Sequence, residues 1–144
     1  MMYDDFTFVD PEKLYYLAGP MRGWPRYNHD QFDEIEAAIG SNCVSPASFD
    51  RGWGFDPDKT LEENGFDLVE TVENCVSRLL TCDAIILMQG WKESAGAKAE
   101  AAIAEWVGMP RYELSFLLVK GVKYFIGNDL AVRKLYERLA AITR

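Results

Sequence analysis

A carboxylate stands inside an alanine-rich segment of this chain. The segment "GWKESAGAKAEAAIAEW" covers residues 90–106 and holds Glu100 among small residues that favour a helix. Ser94 is a predicted N-cap, and helical spacing puts Gly96 one turn before Glu100 on the same stripe. Because the first turn of a helix binds anions, the carboxylate would lie beside a phosphate-sized site, which suits attack on a sugar carbon. The alternative, a solvated surface glutamate, is favoured by this segment alone.

A second group of residues with binding chemistry follows a short apolar run. Residues 14–18 read as a strand, which opens at once into a loop with the sequence Gly19, Pro20, Met21, Arg22 and Gly23. Backbone N–H groups beside two glycines, together with the arginine guanidinium, can hold a phosphate or a carboxylate. The loop has neither a G-x-G-x-x-G pattern nor a P-loop lysine, so a plain turn with a surface arginine fits equally well.

Aromatic residues accompany both segments. Tyr16 lies near the end of the first strand, where it could be a core aromatic with a hydrogen-bonded hydroxyl or part of a site. Trp24, Trp53 and Trp91 fall in predicted loops, where a tryptophan either stacks on a base or packs on the protein body. His29, the only histidine, follows a predicted helix cap and is expected at the surface.

The elements that must position these residues alternate between strand and helix. Helical periodicity predicts helices that start after Asn28, over 67–81, over 94–107 and after Asn128, while 84–88 reads as a strand buried on both faces. This alternation predicts an α/β three-layer sandwich with a mostly parallel, flavodoxin- or Rossmann-like sheet. Ligands bind at the carboxyl ends of such strands, so the two loops are expected to face each other across one cleft.

Two further segments are less regular. The run "NCVSPASF", residues 42–49, is predicted to be a second strand. Residues 50–64 are polar and aromatic, and they are too long for a simple connection, so they form either a functional lid or a poorly ordered loop.

Composition bounds the organisation and the partners. With 144 residues, 49% of them hydrophobic, the chain is expected to form one domain over 14–144, preceded by an extension over 1–13 whose "FTFV" pairs with an edge or stays loose. The net charge of −8 argues against duplex nucleic acid and anionic membranes as partners. Three cysteines without ligand spacing indicate neither a zinc site nor disulfides, and no signal peptide is evident, so a cytoplasmic protein without a metal is expected.

Three motifs occur in an order that resembles one family. They are "YLAGPMRG", "CDAIILM" with the following "GW", and "SAGAKAE". The chain resembles the nucleoside 2-deoxyribosyltransferase superfamily, especially short phage and bacterial proteins of unknown function. The resemblance covers roughly residues 14–110.

The resemblance implies an activity and a set of roles. Glu100 would be the nucleophile that attacks the anomeric carbon of a deoxyribosyl group, and Tyr16 would hold it in place. Arg22, Gly23 and Ser94 would bind a 5′-phosphate. The substrate would be a nucleoside or a nucleoside 5′-monophosphate, no cofactor would be needed, and the assembly would be a homodimer or larger, with residues 50–64 as a lid or as the segment that completes a neighbour's pocket.

One departure leaves two functions open. Relatives usually carry an aspartate that assists the leaving base at the position where this chain has Cys75. Loss of a general acid typically costs on the order of a hundredfold or more in rate. The chain is therefore expected to be either a glycosidic enzyme or a nucleotide-binding protein that has lost turnover and acts as a sensor or sequesters a nucleotide. A plain structural or adaptor domain ranks behind both, because it leaves the three motifs unexplained.

Overall fold

A computed structural model describes residues 9–143, and the predicted N-terminal "FTFV" lies almost entirely outside them. In this part of the chain, one sheet has the strands β1 (Tyr15–Ala18), β2 (Cys43–Val44), β3 (Ala84–Leu87), β4 (Arg111–Val119) and β5 (Val122–Asp129). Their spatial order is β2-β1-β3-β4-β5. The first four strands run parallel and β5 is antiparallel to β4, which confirms the predicted mostly parallel sheet.

Helices cover both faces of the sheet, as the predicted three-layer sandwich requires. They are α1 (His29–Ile39), α2 (Pro46–Gly52), α3 (Leu68–Leu79), α4 (Ala95–Trp106) and α5 (Leu130–Thr143). Apolar residues of α1 belong to one core cluster and those of α3, α4 and α5 to the other, while α2 contributes Ala47 to the first and packs Phe49 against the second. No helix within residues 9–143 is long and apolar enough to cross a membrane.

Strand β1 contributes to both clusters because its side chains alternate between the two faces. Tyr15 and Leu17 point towards α1, while Tyr16 and Ala18 point towards α3 and α4. All four residues are buried, as expected for a central strand of a parallel sheet covered on both sides. The direction of Tyr16 is thus fixed by its place in the strand.

The second predicted strand is mostly a helix. Pairing with β1 ends after Val44, and α2 begins at Pro46. Proline suits the first position of a helix because its missing N–H would have no partner there, and this signal outweighs the apolar run. The segment after α2 consists of turns that are held by Asn64, whose side chain bonds to the backbone of Asp56 and Thr60. Of the two predictions for residues 50–64, the poorly ordered loop is therefore wrong.

The helix caps follow the prediction in position at two helices and differ at one. The Ser94 hydroxyl accepts the N–H of Ala97, as predicted. Asn28 is at the N-cap position of α1, as predicted, but its side chain makes no capping bond and donates to the carbonyl of Pro20 at 2.9 Å. At α5 the cap is Asp129, one residue after the predicted Asn128, whose amide is turned towards β4 instead.

Beyond residue 113, strand β4 pairs with β5 alone. Large apolar side chains on this hairpin and on α5 are exposed, among them Leu118 at 67%, Tyr136 at 67% and Ile142 at 77%. The C-terminal end of the sheet therefore has apolar surface that no other described residue covers.

Candidate active site

A cavity of about 560 Å³ opens where β1 and β3 end. Its walls are the loop after β1, the first two turns of α4, one side of α3, and the aromatic residues from α2 to residue 66. Its volume lies within the range of about 300–1,000 Å³ that is usual for small-molecule sites. In a sheet of order 2-1-3-4-5 the connections after the first and third strands leave in opposite directions, which opens a crevice at this edge.

A hydrogen bond joins Glu100, which lines the cavity, to Tyr16, which lies behind the cavity wall. The tyrosine hydroxyl donates to Glu100 Oε2 at 2.5 Å, across 84 positions of sequence. Tyr16 itself is fully buried in the second core cluster, so its ring is held by packing and only its hydroxyl reaches the carboxylate. The contact that a working site requires between these two predicted residues is thus present.

Small residues bring α4 close enough to make this contact. Ala97, Ala101 and Ala104 are buried against the sheet and form the packed face of the helix. Gly96 and Glu100 lie on the neighbouring stripe and line the cavity. Glu100 is consequently part-buried beside an opening, and the alternative of a solvated surface glutamate does not describe it.

Burial sets the protonation of this pair. It raises the pKa of Glu100 from 4.5 to about 7, although the Tyr16 hydrogen bond acts in the opposite direction. Burial, followed by the charge of Glu100, raises the pKa of Tyr16 well above its usual range. The tyrosine therefore stays protonated and donates, while the carboxylate exchanges its proton near neutrality.

Cys75 lies on the wall of the same cavity, beside the pair. Burial raises the pKa of its thiol to about 12, the charge of Glu100 acts in the same direction, and a hydrogen bond with Tyr16 opposes both. A thiol with so high a pKa is a poor proton donor to a leaving group at neutral pH.

Groups suited to an anion line the mouth of the cavity. Ser94 uses its hydroxyl on the N–H of Ala97, and the N–H groups of Ala95 and Gly96 have no partner inside the helix. Arg22 lies across the opening, exposed to solvent, and its guanidinium is 5.8 Å from the ring centre of Phe66. Within residues 9–143, this guanidinium forms no ion pair.

Close packing fixes the loop that carries Arg22. A Cβ on Gly19 would lie 2.8 Å from Met88 Cβ, so only glycine lets the loop cross the end of β3 without a shift. Pro20 and Met21 line the cavity next to it. Gly23 does not line this cavity, and its φ of +84° suits the turn that returns the chain.

The three predicted tryptophans do not come together. Trp24 and Trp53 line the cavity. Trp91 is absent from its wall, because its indole N–H donates to Glu113 at 2.9 Å and holds the ring against β4. Trp91 is therefore not part of the candidate site.

The sequence-based interpretation is wrong about the position of His29 and does not include Asp50 in the site. His29 is fully buried, stacked on Phe55 and within 2.8 Å of Arg51, so the expected surface position is wrong. Asp50 was assigned only to a loop, yet it lies on α2 and lines the cavity. The helical start at Ser45-Pro46 is the sequence signal that would have indicated it.

Fold and cavity together define an α/β sandwich with a carboxylate–tyrosine pair at the carboxyl edge of its parallel sheet. The chain belongs to the family defined by a domain of unknown function, DUF4406, whose model matches residues 13–112. Among curated proteins, no sequence matches this chain. Within residues 9–143, no group of three or more His, Cys, Asp or Glu side chains is arranged to hold a metal ion.

Proposed function

We propose that this protein cleaves or transfers the N-glycosidic bond of a nucleoside or nucleoside 5′-monophosphate, with Glu100 as the nucleophile. The observation that carries the proposal is the 2.5 Å hydrogen bond from Tyr16 to Glu100 on the wall of a ligand-sized cavity. The Glu100 carboxylate is held by one donor, and its second oxygen makes no hydrogen bond to residues 9–143, which suits attack on an anomeric carbon. The resemblance to deoxyribosyltransferases supports the same assignment.

The reaction would have two displacements. In the first, a Glu100 oxygen bonds to the anomeric carbon as the C–N bond breaks, and the electron pair passes to the base nitrogen, which takes up a proton. In the second, water or another base bonds to the same carbon, releases the Glu100 carboxylate and loses a proton. Tyr16 remains protonated throughout and restricts Glu100 to one orientation.

Binding of a 5′-phosphate is supported by the groups at the cavity mouth. The N–H groups at the start of α4 and the guanidinium of Arg22 line the same cavity as Glu100. A helix N-terminus and an arginine are both common phosphate ligands. Trp24, Trp53 and Phe55 provide aromatic surface for the base.

A second candidate is a nucleotide-binding protein without turnover. It is favoured by Cys75, a thiol that stays protonated where the deoxyribosyltransferases that this chain resembles carry an aspartate. Such a protein would use the same cavity to sense or sequester a nucleotide.

Incubation with a panel of nucleosides and nucleoside 5′-monophosphates, with free base followed by chromatography, separates the two candidates. The glycosidic enzyme releases base, and Glu100→Gln abolishes the release without abolishing binding. Glu73→Gln is the matched control, since Glu73 is an exposed glutamate on α3 outside the cavity. Thermal stabilisation by a nucleotide without base release would favour the binding protein, and neither effect with any member of the panel would contradict both.

We also propose that the protein forms a homodimer or a larger homo-oligomer. Exposed apolar residues on the β4–β5 hairpin and α5 support it, since contiguous apolar surface of this kind often marks an interface. Light scattering during size-exclusion chromatography measures the mass directly, and a 16.4 kDa species at micromolar concentration would contradict the assembly.

The proposed compartment is the cytoplasm. The cysteines Cys43, Cys75 and Cys82 are all free thiols, which suits a reducing environment.

A further inference from the structure

A second carboxyl group lines the cavity besides Glu100. Asp50 lies in the last turn of α2 and is half-buried. In the described chain its carboxyl group makes no ion pair or hydrogen bond, although a buried charge normally has such a partner. Neither the packing of α2 nor the nucleophilic step explains why this position is acidic.

Two arginines lower the pKa of Asp50 by their charge, and both are engaged elsewhere. Arg51 pairs with Asp33 at 2.8 Å and contacts His29. Arg78 stacks on the ring of Phe49, 4.2 Å from its centre. Their charges act on Asp50 only weakly against burial, which raises its pKa from 3.8 to about 6. At neutral pH a fraction of Asp50 therefore keeps the proton that an exposed aspartate would have lost.

Asp50, Cys75 and Glu100 line the same cavity. The charges of Glu100 and Asp50 both raise the pKa of the Cys75 thiol. Because the cavity has a volume of about 560 Å³, one ligand can contact both carboxyl groups.

The backbone joins Asp50 to the aromatic part of the cavity. Its carbonyl oxygen accepts the N–H groups of Trp53 and Phe55, at 3.1 and 3.0 Å. Both aromatic side chains line the same cavity. A base that contacts these rings would lie against the part of the cavity wall to which Asp50 belongs, and Glu100 lines the same cavity.

We infer that Asp50 is the general acid of the proposed reaction, donating its proton to the ring nitrogen of the departing base while Glu100 bonds to the anomeric carbon. The inference rests on the proposed glycosidic function. In this step the C–N electron pair becomes the N–H bond of the released base, and Asp50 is left as a carboxylate. The water that resolves the glycosyl-enzyme returns a proton to Asp50. An acid on α2 thus takes the place of the aspartate that Cys75 replaces on α3.

Two donors that differ by one methyl group test this role. Guanine leaving from 2′-deoxyguanosine 5′-monophosphate needs a proton, whereas the base of the 7-methyl derivative already carries a positive charge and departs without one. Asp50→Asn should slow release from the first donor by roughly a hundredfold or more. Release from the methylated donor should stay within a few-fold of wild type. Asp50→Glu, which keeps a carboxyl group, should recover part of the lost rate, and Glu73→Gln should change neither.

The outcomes distinguish this inference from the proposed function. If Asp50→Asn slows both donors equally or neither, base release still proceeds through Glu100 but Asp50 is not the acid. The same holds if the wild type releases only the methylated base, since it then has no working acid. If the wild type releases base from neither of these donors nor from any member of the nucleoside and nucleotide panel, the glycosidic function and the role of Asp50 are overturned together. Thermal unfolding of each variant excludes misfolding, and if Asp50→Asn fails to fold, the Asp50→Glu variant carries the comparison.

Discussion

Replacement of Glu100 by glutamine is expected to stabilise the protein at high pH and to leave its stability nearly unchanged at low pH. Burial raises the pKa of Glu100 from 4.5 to about 7, so the folded protein binds this proton more tightly than the unfolded chain. Folding stability therefore falls as pH rises from about 4.5 and levels off above about 7. Glutamine keeps an oxygen that can accept the hydrogen bond from the Tyr16 hydroxyl, but it carries no charge at any pH.

The magnitude follows from the same pKa values. A tenfold change in proton affinity corresponds to about 1.4 kcal/mol, so the rise from 4.5 to about 7 corresponds to about 3 kcal/mol above pH 8. For a domain of this size that is a difference of roughly 6 to 12 °C in the midpoint of thermal unfolding. At pH 4 the Glu100 side chain is largely protonated in both the folded and the unfolded wild type. The unfolding free energies of wild type and Glu100→Gln should therefore differ by only a few tenths of a kcal/mol.

Urea unfolding of wild type and Glu100→Gln at pH 4, 6 and 8.5 measures the effect. The difference in unfolding free energy should grow with pH in favour of the variant. Glu73→Gln, at an exposed position on α3, is the matched control for removal of one glutamate charge. A Glu100→Gln difference that is constant with pH, or that favours wild type at pH 8.5, would refute the assignment of Glu100 to a desolvated site.

Three further outcomes follow from particular contacts. Tyr16→Phe removes a hydrogen bond that lowers the pKa of Glu100, so the midpoint of the Glu100 carboxyl group followed by carbon NMR should move above about 7. A midpoint that stays or falls would contradict this. Gly19→Ala should lower the free energy of unfolding in urea by about 1–3 kcal/mol, because the added Cβ would lie 2.8 Å from Met88 Cβ. Gly96→Ala is the control and should not lower it measurably, because its Cβ would have nothing within 4 Å. Asp67→Ala should lower the stability by about 1 kcal/mol through loss of the α3 N-cap, and an unchanged thermal midpoint would exclude that role.

Local sequence signals predict much of this fold. The alternation of apolar strands and amphipathic helices gives the parallel sheet, and Ser94 marks the start of α4 correctly. Helix α2 is missed because "NCVSPASF" is apolar enough to resemble a strand, while the decisive feature is the single proline at its start. The buried position of His29 is missed because Phe55 and Arg51, which hold it, are remote in sequence.

The candidate site is predictable only in part for the same reason. Strand and helix periodicity fix the faces of Tyr16 and Glu100 separately, but only the fold brings these residues, 84 positions apart, into contact. Asp50 could not be assigned to the cavity without α2, since a loop has no fixed direction for its side chains. Trp91 has the same loop signature as Trp24 and Trp53, and its bond to Glu113 across the sheet has no local signal.

The distribution of the tryptophans gives the protein an intrinsic optical reporter. Of its four indoles, Trp24 and Trp53 line the cavity, whereas Trp91 is bound to β4 and Trp106 is 87% exposed at the end of α4. A nucleotide that stacks in the cavity would quench the emission of the first two and leave that of the others as a constant background. Fluorescence titration of the unlabelled protein can therefore register occupancy of the site independently of any chemical turnover.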